Sequence, residues 1–473
     1  MKPFKLVING SLVETSEYFD VLNPADKSVV ARCPKATEAD LNNAVAAANT
    51  AFESWSALDI SERRELLLKL ADVVEDKAEE FKTLLTKEQG KPLQGFANLG
   101  AGFEFEGTLN WIRTTANFDI KPKIIEDNDT VRIELHRKPL GVVGSITPWN
   151  YPLLISIWHI IPALLAGNTV VMKPSEMTPL TMLRFGEVAQ EILPPGVLNI
   201  VTGAGELGAL ISSHEDIQKI VFTGSTPTGK AIMKSASGNL KRLTLELGGN
   251  DAGIVLDDVN VDDIAEKIFA SAFINNGQTC AALKRLYVHE SVYDEMCNAL
   301  TKIATSMKNG NGMDKDTDLG PLQNEQQLNI VKELAEDAKQ RGATFLCGGE
   351  VVDEKGYFYP PTLVSNIEDG AKLVDIEQFG PILPIIKFHD VEDAIASANR
   401  LGVGLGGSVW SQDLIKAQRV ASRMQCGTVW INSHAAVLPI APFGGVKDSG
   451  FGVEFGEEGL NEYTSVHTIH IYK

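Results

Sequence analysis

Cysteine is scarce in this 473-residue sequence. The five residues Cys33, Cys280, Cys297, Cys347 and Cys426 are widely spread, odd in number and free of any C-x-x-C pair. A disulfide scaffold or a structural zinc site is therefore disfavoured, and no metal site is expected; a reducing compartment suits the pattern. Basic residues are also in deficit: 43 Lys and Arg stand against 62 Asp and Glu, a formal net charge of −19. A field of that sign repels phosphate backbones and anionic lipid, so neither a nucleic acid nor a membrane surface is expected as a partner. Long hydrophobic runs are missing as well. The most apolar stretch, residues 151–167, is interrupted by His159 and Pro162 and is shorter than a membrane span. The first twenty residues contain no apolar core of signal-peptide length, so a soluble cytoplasmic protein is the expectation. There is no repeat of solenoid period, no low-complexity tract and no long Pro/Gly/Ser linker.

What is present is enough apolar material, 44% of residues, for a large core in two or three closely packed domains. Periodicity predicts helices over 37–56, over 59–89 and over roughly 95–115. The second opens on Asp59 with Glu62 three residues later and stops at Gly90 and Pro92. VRIELHRKP (131–139) and the carboxyl-terminal HTIHIYK alternate like half-exposed strands, and pairing across subunits would cover their edges. From residue 140 short apolar runs (GVVGSIT, NTVVMKP, GVLNIVT, KIVFTGS, KRLTLEL) alternate with helices expected at 153–166, 178–192, 205–213 and 226–236. That alternation predicts an α/β fold with a doubly wound parallel sheet. A second α/β block follows, with helices near 261–275 and 291–307 and strands at 284–288, 383–388 and 407–410.

In such sheets ligands bind beyond the carboxyl ends of the strands. Three successive ends carry Pro148-Trp149-Asn150-Tyr151-Pro152, Lys173-Pro174-Ser175-Glu176 and Thr223-Gly224-Ser225. These supply a diol ligand, a cation and a helix terminus able to hold a phosphate, which together suit a dinucleotide. Ordinary turns are also rich in Gly, Pro and Ser, and this alternative stays open on the pattern alone. A formal G-x-G-x-x-G runs from Gly203 through Gly205 to Gly208, but no acidic residue ends a strand about 20 positions later. The diol carboxylate is better sought at Glu176. Among the cysteines, Cys280 differs: Gly277-Gln278-Thr279-Cys280-Ala281 places a thiol among small residues in a turn. Upstream, Glu246-Leu247-Gly248-Gly249-Asn250 delivers a carboxylate into a double-glycine turn. A thiol nucleophile and a carboxylate that activates water are the two parts needed to make and then hydrolyse a thioester.

Taken in order, PWNYP, KPSE, FTGS, ELGG, GQTC, EQFGP and PFGG resemble the NAD(P)-dependent aldehyde dehydrogenase superfamily over nearly the whole chain. The resemblance implies a Rossmann-type parallel-sheet cofactor domain (1–118 and 140–248), an α/β catalytic domain (249–448) and small β oligomerisation arms (119–139 and 449–473). It implies Cys280 as nucleophile, Asn150 with the Cys280 N–H as oxyanion hole, and Glu246 as the base for hydrolysis. Glu454 is either a proton relay or an exposed helical glutamate. NAD is the implied cofactor, with NADP second because relatives carrying KPSE tolerate both. Its implied contacts are Ile146, Pro148, Trp149, Asn150, Lys173, Ser175, Glu176, Gly205, Phe222, Gly224, Ser225, Glu246, Leu247, Gly248, Glu377 and Phe379. The implied substrate wall is Tyr151, Ile155, Trp158, Ile274, Thr279, Ala281, Val437 and Phe443, an apolar lining suited to a neutral aliphatic or aromatic aldehyde. The sequence departs from many relatives at His159 (lysine there), Val453 (arginine) and Val437 (a large aromatic). His159 reads as a satisfied packing histidine. A homodimer or homotetramer is expected. An acyl-CoA-forming branch and a catalytically retired relative are the competing readings.

Overall fold

The computed structural model describes residues 4–351 and 355–473. Two parallel-rich sheets divide most of the chain. The first runs, edge to edge, Ser11–Val13, Leu6–Ile8, Leu198–Ile200, Thr169–Lys173, Val142–Ile146, Lys219–Thr223, Arg242–Glu246 and Gly450–Phe451. Its five middle strands are parallel, and the outer pieces are antiparallel. Val142–Ile146, Thr169–Lys173 and Lys219–Thr223 are buried along their whole length, because helices cover both faces. The two-residue period divides their side chains: Val142, Val171 and Ile220 join one core with Leu41 and Val45. Val143, Val170 and Val221 join another with Ile157 and Phe185. The strand order reverses beside Val142–Ile146, which opens a crevice toward Lys219–Thr223 at the carboxyl ends.

The expected helices 37–56, 153–166, 205–213 and 226–236 appear as Glu38–Ala57, Leu154–Leu165, Gly205–Ser213 and Thr226–Ala236. The apolar run at 151–167 is explained by Leu154–Leu165, a helix buried on nearly every side in the core of the first block. One expectation needs correction: 59–89 is two helices, Ile60–Glu75 and Ala78–Gln89. The chain leaves helical geometry at Lys77 (φ −111°, ψ 21°). The break lets Leu67, Leu70 and Val74 on one side and Phe81 and Leu85 on the other turn their apolar faces into the same core. The helix over 95–115 begins later, as Ala101–Ala116 after a short 3-10 turn, and the one over 178–192 stops at Ala189.

The second sheet runs Thr344–Cys347, Thr362–Ser365, Ile382–Phe388, Leu283–His289, Asp251–Val255, Gly406–Trp410 and Thr428–Ile431, antiparallel only at its first edge. Helices Val261–Phe273 and Tyr293–Ser306 match the expectation, whereas Glu325–Gln340, Val391–Asn399 and Leu414–Ala421 were not expected. A separate three-stranded sheet pairs Val131–Pro139 with Thr464–Tyr472 over nine residue pairs and with Lys123–Asp127 on its other side. Ile124, Ile125, Val466, Ile471 and Tyr472 stand exposed on it. Among the described residues no helix is long and apolar enough to cross a membrane, and no group of three or more His, Cys, Asp or Glu could hold a metal ion.

Candidate active site

The crevice is lined by two adjoining cavities that share Pro148, Trp149, Thr223, Gly224 and Ser225. The outer one gathers Ile146, Lys173, Ser175, Glu176, Gly205 and Phe222 from three strand ends and the following helix. The inner one gathers Asn150, Leu247, Gly248, Glu377, Phe379 and Cys280. Every cofactor residue read from the sequence except Glu246 therefore lines one continuous groove that ends at the thiol. The sequence reading named Gly208 only within the glycine motif it set aside, and it missed Ile232 in the outer part and Asn324, Gln327 and Ile330 in the inner part. The last three come from helix Glu325–Gln340 and the Asn324 that caps it, which carry no glycine-rich signature.

Charged and polar groups stand along the outer part of the groove. Lys173 is buried, with its ammonium on the carbonyls of Pro174 and Gly203, both at 3.0 Å, and 3.6 Å from the Glu176 carboxylate. Burial lowers its pKa, and Glu176 opposes that. Ser225 caps helix Thr226–Ala236, whose first turn carries Pro227. A side chain at Gly205 would meet nothing within 4 Å, so the start of a second helix, Gly205–Ser213, is open. The Trp149 and Phe379 rings meet edge to face at 5.4 Å over the inner part.

The loop that leads to Cys280 is strained. Asn275, Asn276 and Gly277 all have positive φ (51°, 57° and 75°), and the first two are residues that tolerate this region. A Cβ at Gly277 would lie 2.2 Å from the Gly380 carbonyl oxygen, so only glycine fits there. Asn150 is locked on both sides. Its carbonyl accepts from Lys91 Nζ and from Asn275 Nδ2, each at 2.9 Å, and its Nδ2 donates to the Gln278 carbonyl at 3.0 Å. Lys91 in turn forms a fully buried ion pair with Glu104, whose other oxygen accepts from the N–H groups of Leu153 and Leu154 at the start of helix Leu154–Leu165.

Around Cys280 the electrostatics are uneven. Burial pushes its thiol up to about 12; Lys284 opposes this, while Glu246, Glu377 and Asp251 reinforce it. Glu246 ends strand Arg242–Glu246 and is buried; among the described residues no side chain hydrogen-bonds either carboxylate oxygen, and the Gly445 N–H is the backbone group that acts on it. Burial, with the Glu454 charge second, holds its carboxyl well above the usual range. Glu454 is buried at 3% exposure, which overturns the exposed-helix alternative. It bridges to Phe443, and its Oε1 lies 3.2 Å from His159 Nε2. His159 is fully buried and contacts Ser145 and Thr223, each at 3.0 Å.

On the side away from the groove, Tyr151, Ile155, Ala281 and Phe443 share one apolar cluster, with Trp158, Val437 and Cys280 packed against it. Tyr151 Oη meets Thr279 Oγ1 at 3.2 Å. Ile274 is placed apart, lining a small cavity with Phe96 and Phe273. Phe455 and Trp111, unnoticed in the sequence, complete the aromatic group: Phe455 lies 4.7 Å from Trp158 and 5.4 Å from Trp111. Phe455 directly follows Glu454, the one signal that could have drawn attention to it.

The aldehyde dehydrogenase family model matches residues 12–469. The chain belongs to the aldehyde dehydrogenase family. Oxidation of an aldehyde to the carboxylic acid is accordingly its reaction. Human retinaldehyde dehydrogenase 3 is 41% identical over 99% of this chain and 92% of its own length. The mitochondrial aldehyde dehydrogenase of Leishmania tarentolae is 39% identical over 98% and 94%. Among solved structures, the NAD+ complex of a Bacillus cereus aldehyde dehydrogenase superposes with a TM-score of 0.96 at 38% identity, covering all of this chain and 97% of the other.

Proposed function

We propose that this aldehyde dehydrogenase oxidises a neutral aliphatic or aromatic aldehyde with NAD, through a thiohemiacetal and then a thioester on Cys280. One observation carries the reading: Cys280 and Asn150 line the same groove, while the buried Glu246 carboxylate acts on the Cys280 sulfur. The sulfur adds to the aldehyde carbon with loss of the thiol proton. Asn150 Nδ2 and the Cys280 N–H steady the oxygen that becomes negative, an interaction typically worth about 3–4 kcal/mol per donor. NAD supplies the hydride acceptor when bound along the groove. Loss of that hydride leaves a thioester. Glu246, its carboxyl raised above the usual range by burial and by the Glu454 charge, takes a proton from the water that cleaves it, and Glu454 passes that proton on.

Lys173 and Glu176 hold the adenosine ribose, Gly224 and Ser225 the pyrophosphate, and Glu377 the nicotinamide ribose. A carboxylate at Glu176 accepts from a ribose diol and repels a 2′-phosphate, which favours NAD over NADP. Tyr151, Ile155, Trp158, Val437 and Phe443 present no charge to the substrate, which favours a neutral aldehyde. The domain division at 1–118 with 140–248, 249–448 and the arms belongs to the same proposal. So does assembly into a dimer or tetramer through the exposed apolar residues of the arm sheet, which light scattering of the purified protein tests. For the reaction, an aldehyde panel with NAD and NADP in parallel should show NAD reduction that Cys280→Ala abolishes. Turnover surviving that substitution would overturn the thiohemiacetal. Acid as the product, with or without added coenzyme A, separates this reading from the acyl-CoA-forming one.

A further inference from the structure

The buried ammonium of Lys284 has no part in the chemistry above, yet it lies between the nucleophile and the cofactor site. Lys284 is 2% exposed, four residues after Cys280 at the start of strand Leu283–His289. Its Nζ donates to the Cys280 carbonyl and lies 3.1 Å from Glu377 Oε1. The same Glu377 oxygen accepts from the Gly249 N–H at 3.2 Å. Glu377 comes so close to Gly248 that a Cβ there would stand 2.3 Å from Oε2. The Gln378 side chain then ties this loop to the strand, donating to the Lys284 and Ile382 carbonyls at 2.9 Å each. One ammonium thus fastens the peptide of the nucleophile to a carboxylate lining the groove, and all three partners are held from several directions.

We propose that Lys284 is the positioning residue that sets the reactivity of Cys280, and that Glu377 tempers it by sharing the same ammonium. The charged groups acting on the sulfur come from four elements: Lys284 on its own strand, Glu246 at the end of Arg242–Glu246, Asp251 at the start of Asp251–Val255, and Glu377 in the loop before Ile382–Phe388. Three of them are carboxylates, and Lys284 is the one cation among them. A thiolate is the nucleophile, so the balance of these charges decides how much of it exists at a given pH. Removing the lysine leaves three anions facing the sulfur. Removing the Glu377 charge leaves the ammonium to the sulfur side alone.

The inference rests on the reading of Cys280 as nucleophile, and its test is independent of turnover. Full-length protein without substrate or NAD is treated with iodoacetamide across a pH series, and label at the Cys280 peptide is quantified by mass spectrometry. Lys284→Met should slow alkylation at a given pH by about tenfold, the equivalent of one pH unit of thiol acidity. Lys284→Arg should restore most of the rate. Glu377→Gln should speed it several-fold. Opposite signs from the two substitutions are something a merely structural contact would not produce. A Lys284→Met profile superimposed on the parent would overturn the proposal, as would Glu377→Gln failing to accelerate or moving in the same direction as Lys284→Met. Should Lys284→Met not fold, Glu377→Gln and Lys284→Arg decide alone. Failure here leaves the Cys280 mechanism standing, because that is tested separately by turnover of Cys280→Ala.

Discussion

The two walls of the active site are made in different ways. The groove takes most of its residues from successive strand ends of one sheet, each in a short segment: 146–150, 173–176, 222–225 and 247–248. The proposed substrate wall collects Trp111, Tyr151, Trp158, Val437, Phe443 and Phe455 from two helices and three loops spread over most of the chain. A parallel sheet places consecutive strand ends side by side whatever else the protein does, so the first wall is a property of topology. The second exists only once helices Ala101–Ala116 and Leu154–Leu165 have packed against the 430–455 region, so it is a property of packing. On the proposed reading, cofactor binding belongs to the first wall and choice of substrate to the second.

Substitutions at the junction of the walls break this arrangement most severely. Glu246→Gln should lower kcat by about 10³-fold with the thioester accumulating, as quenched-flow mass spectrometry would show, since the general base is lost while the nucleophile remains. Lys91→Met removes one partner of a pair whose side chains are 1% and 0% exposed. It should cost about 3–5 kcal/mol in urea unfolding by leaving the Glu104 charge buried alone. Asn150→Ala should reduce kcat by about 10²-fold with little change in NAD affinity. A weaker effect is expected at the cofactor wall, where Glu176→Gln should narrow the preference for NAD over NADP by about tenfold, read from the ratio of kcat/KM values. The smallest is a pH effect. The Glu454 charge helps hold the Glu246 carboxyl above its ordinary value, so the base is protonated and idle at low pH and active as pH rises. Glu454→Gln removes that charge and should move the acid limb of deacylation to lower pH, measurable in single-turnover profiles. A shift to higher pH would contradict the coupling.

Legibility followed the same division. The strand ends were readable because Lys173, Glu176, Gly224 and Ser225 lie within a few residues of the apolar runs that carry them. Helix Glu325–Gln340 was not expected, although it brings Gln327 and Ile330 to the groove. Helix 59–89 was expected as one piece, since nothing at Asp76 and Lys77 forbids continuation. The break answers a packing demand rather than a local one. Glu454 was open to two opposite readings until its burial beside His159 was visible.

The sequence alone therefore determined the α/β alternation, the order of the turns that line the groove and the setting of Cys280 among small residues. Each of these depends on a few neighbouring residues and on the period of the chain. Only the tertiary structure decided that Glu246 is buried where its charge acts on Cys280, that Lys91 and Glu104 hold Asn150, and that Lys284 joins Cys280 to Glu377. Charges so separated along the chain acquire their strength from a shared, water-poor surrounding, and that surrounding exists only when both sheets are in place.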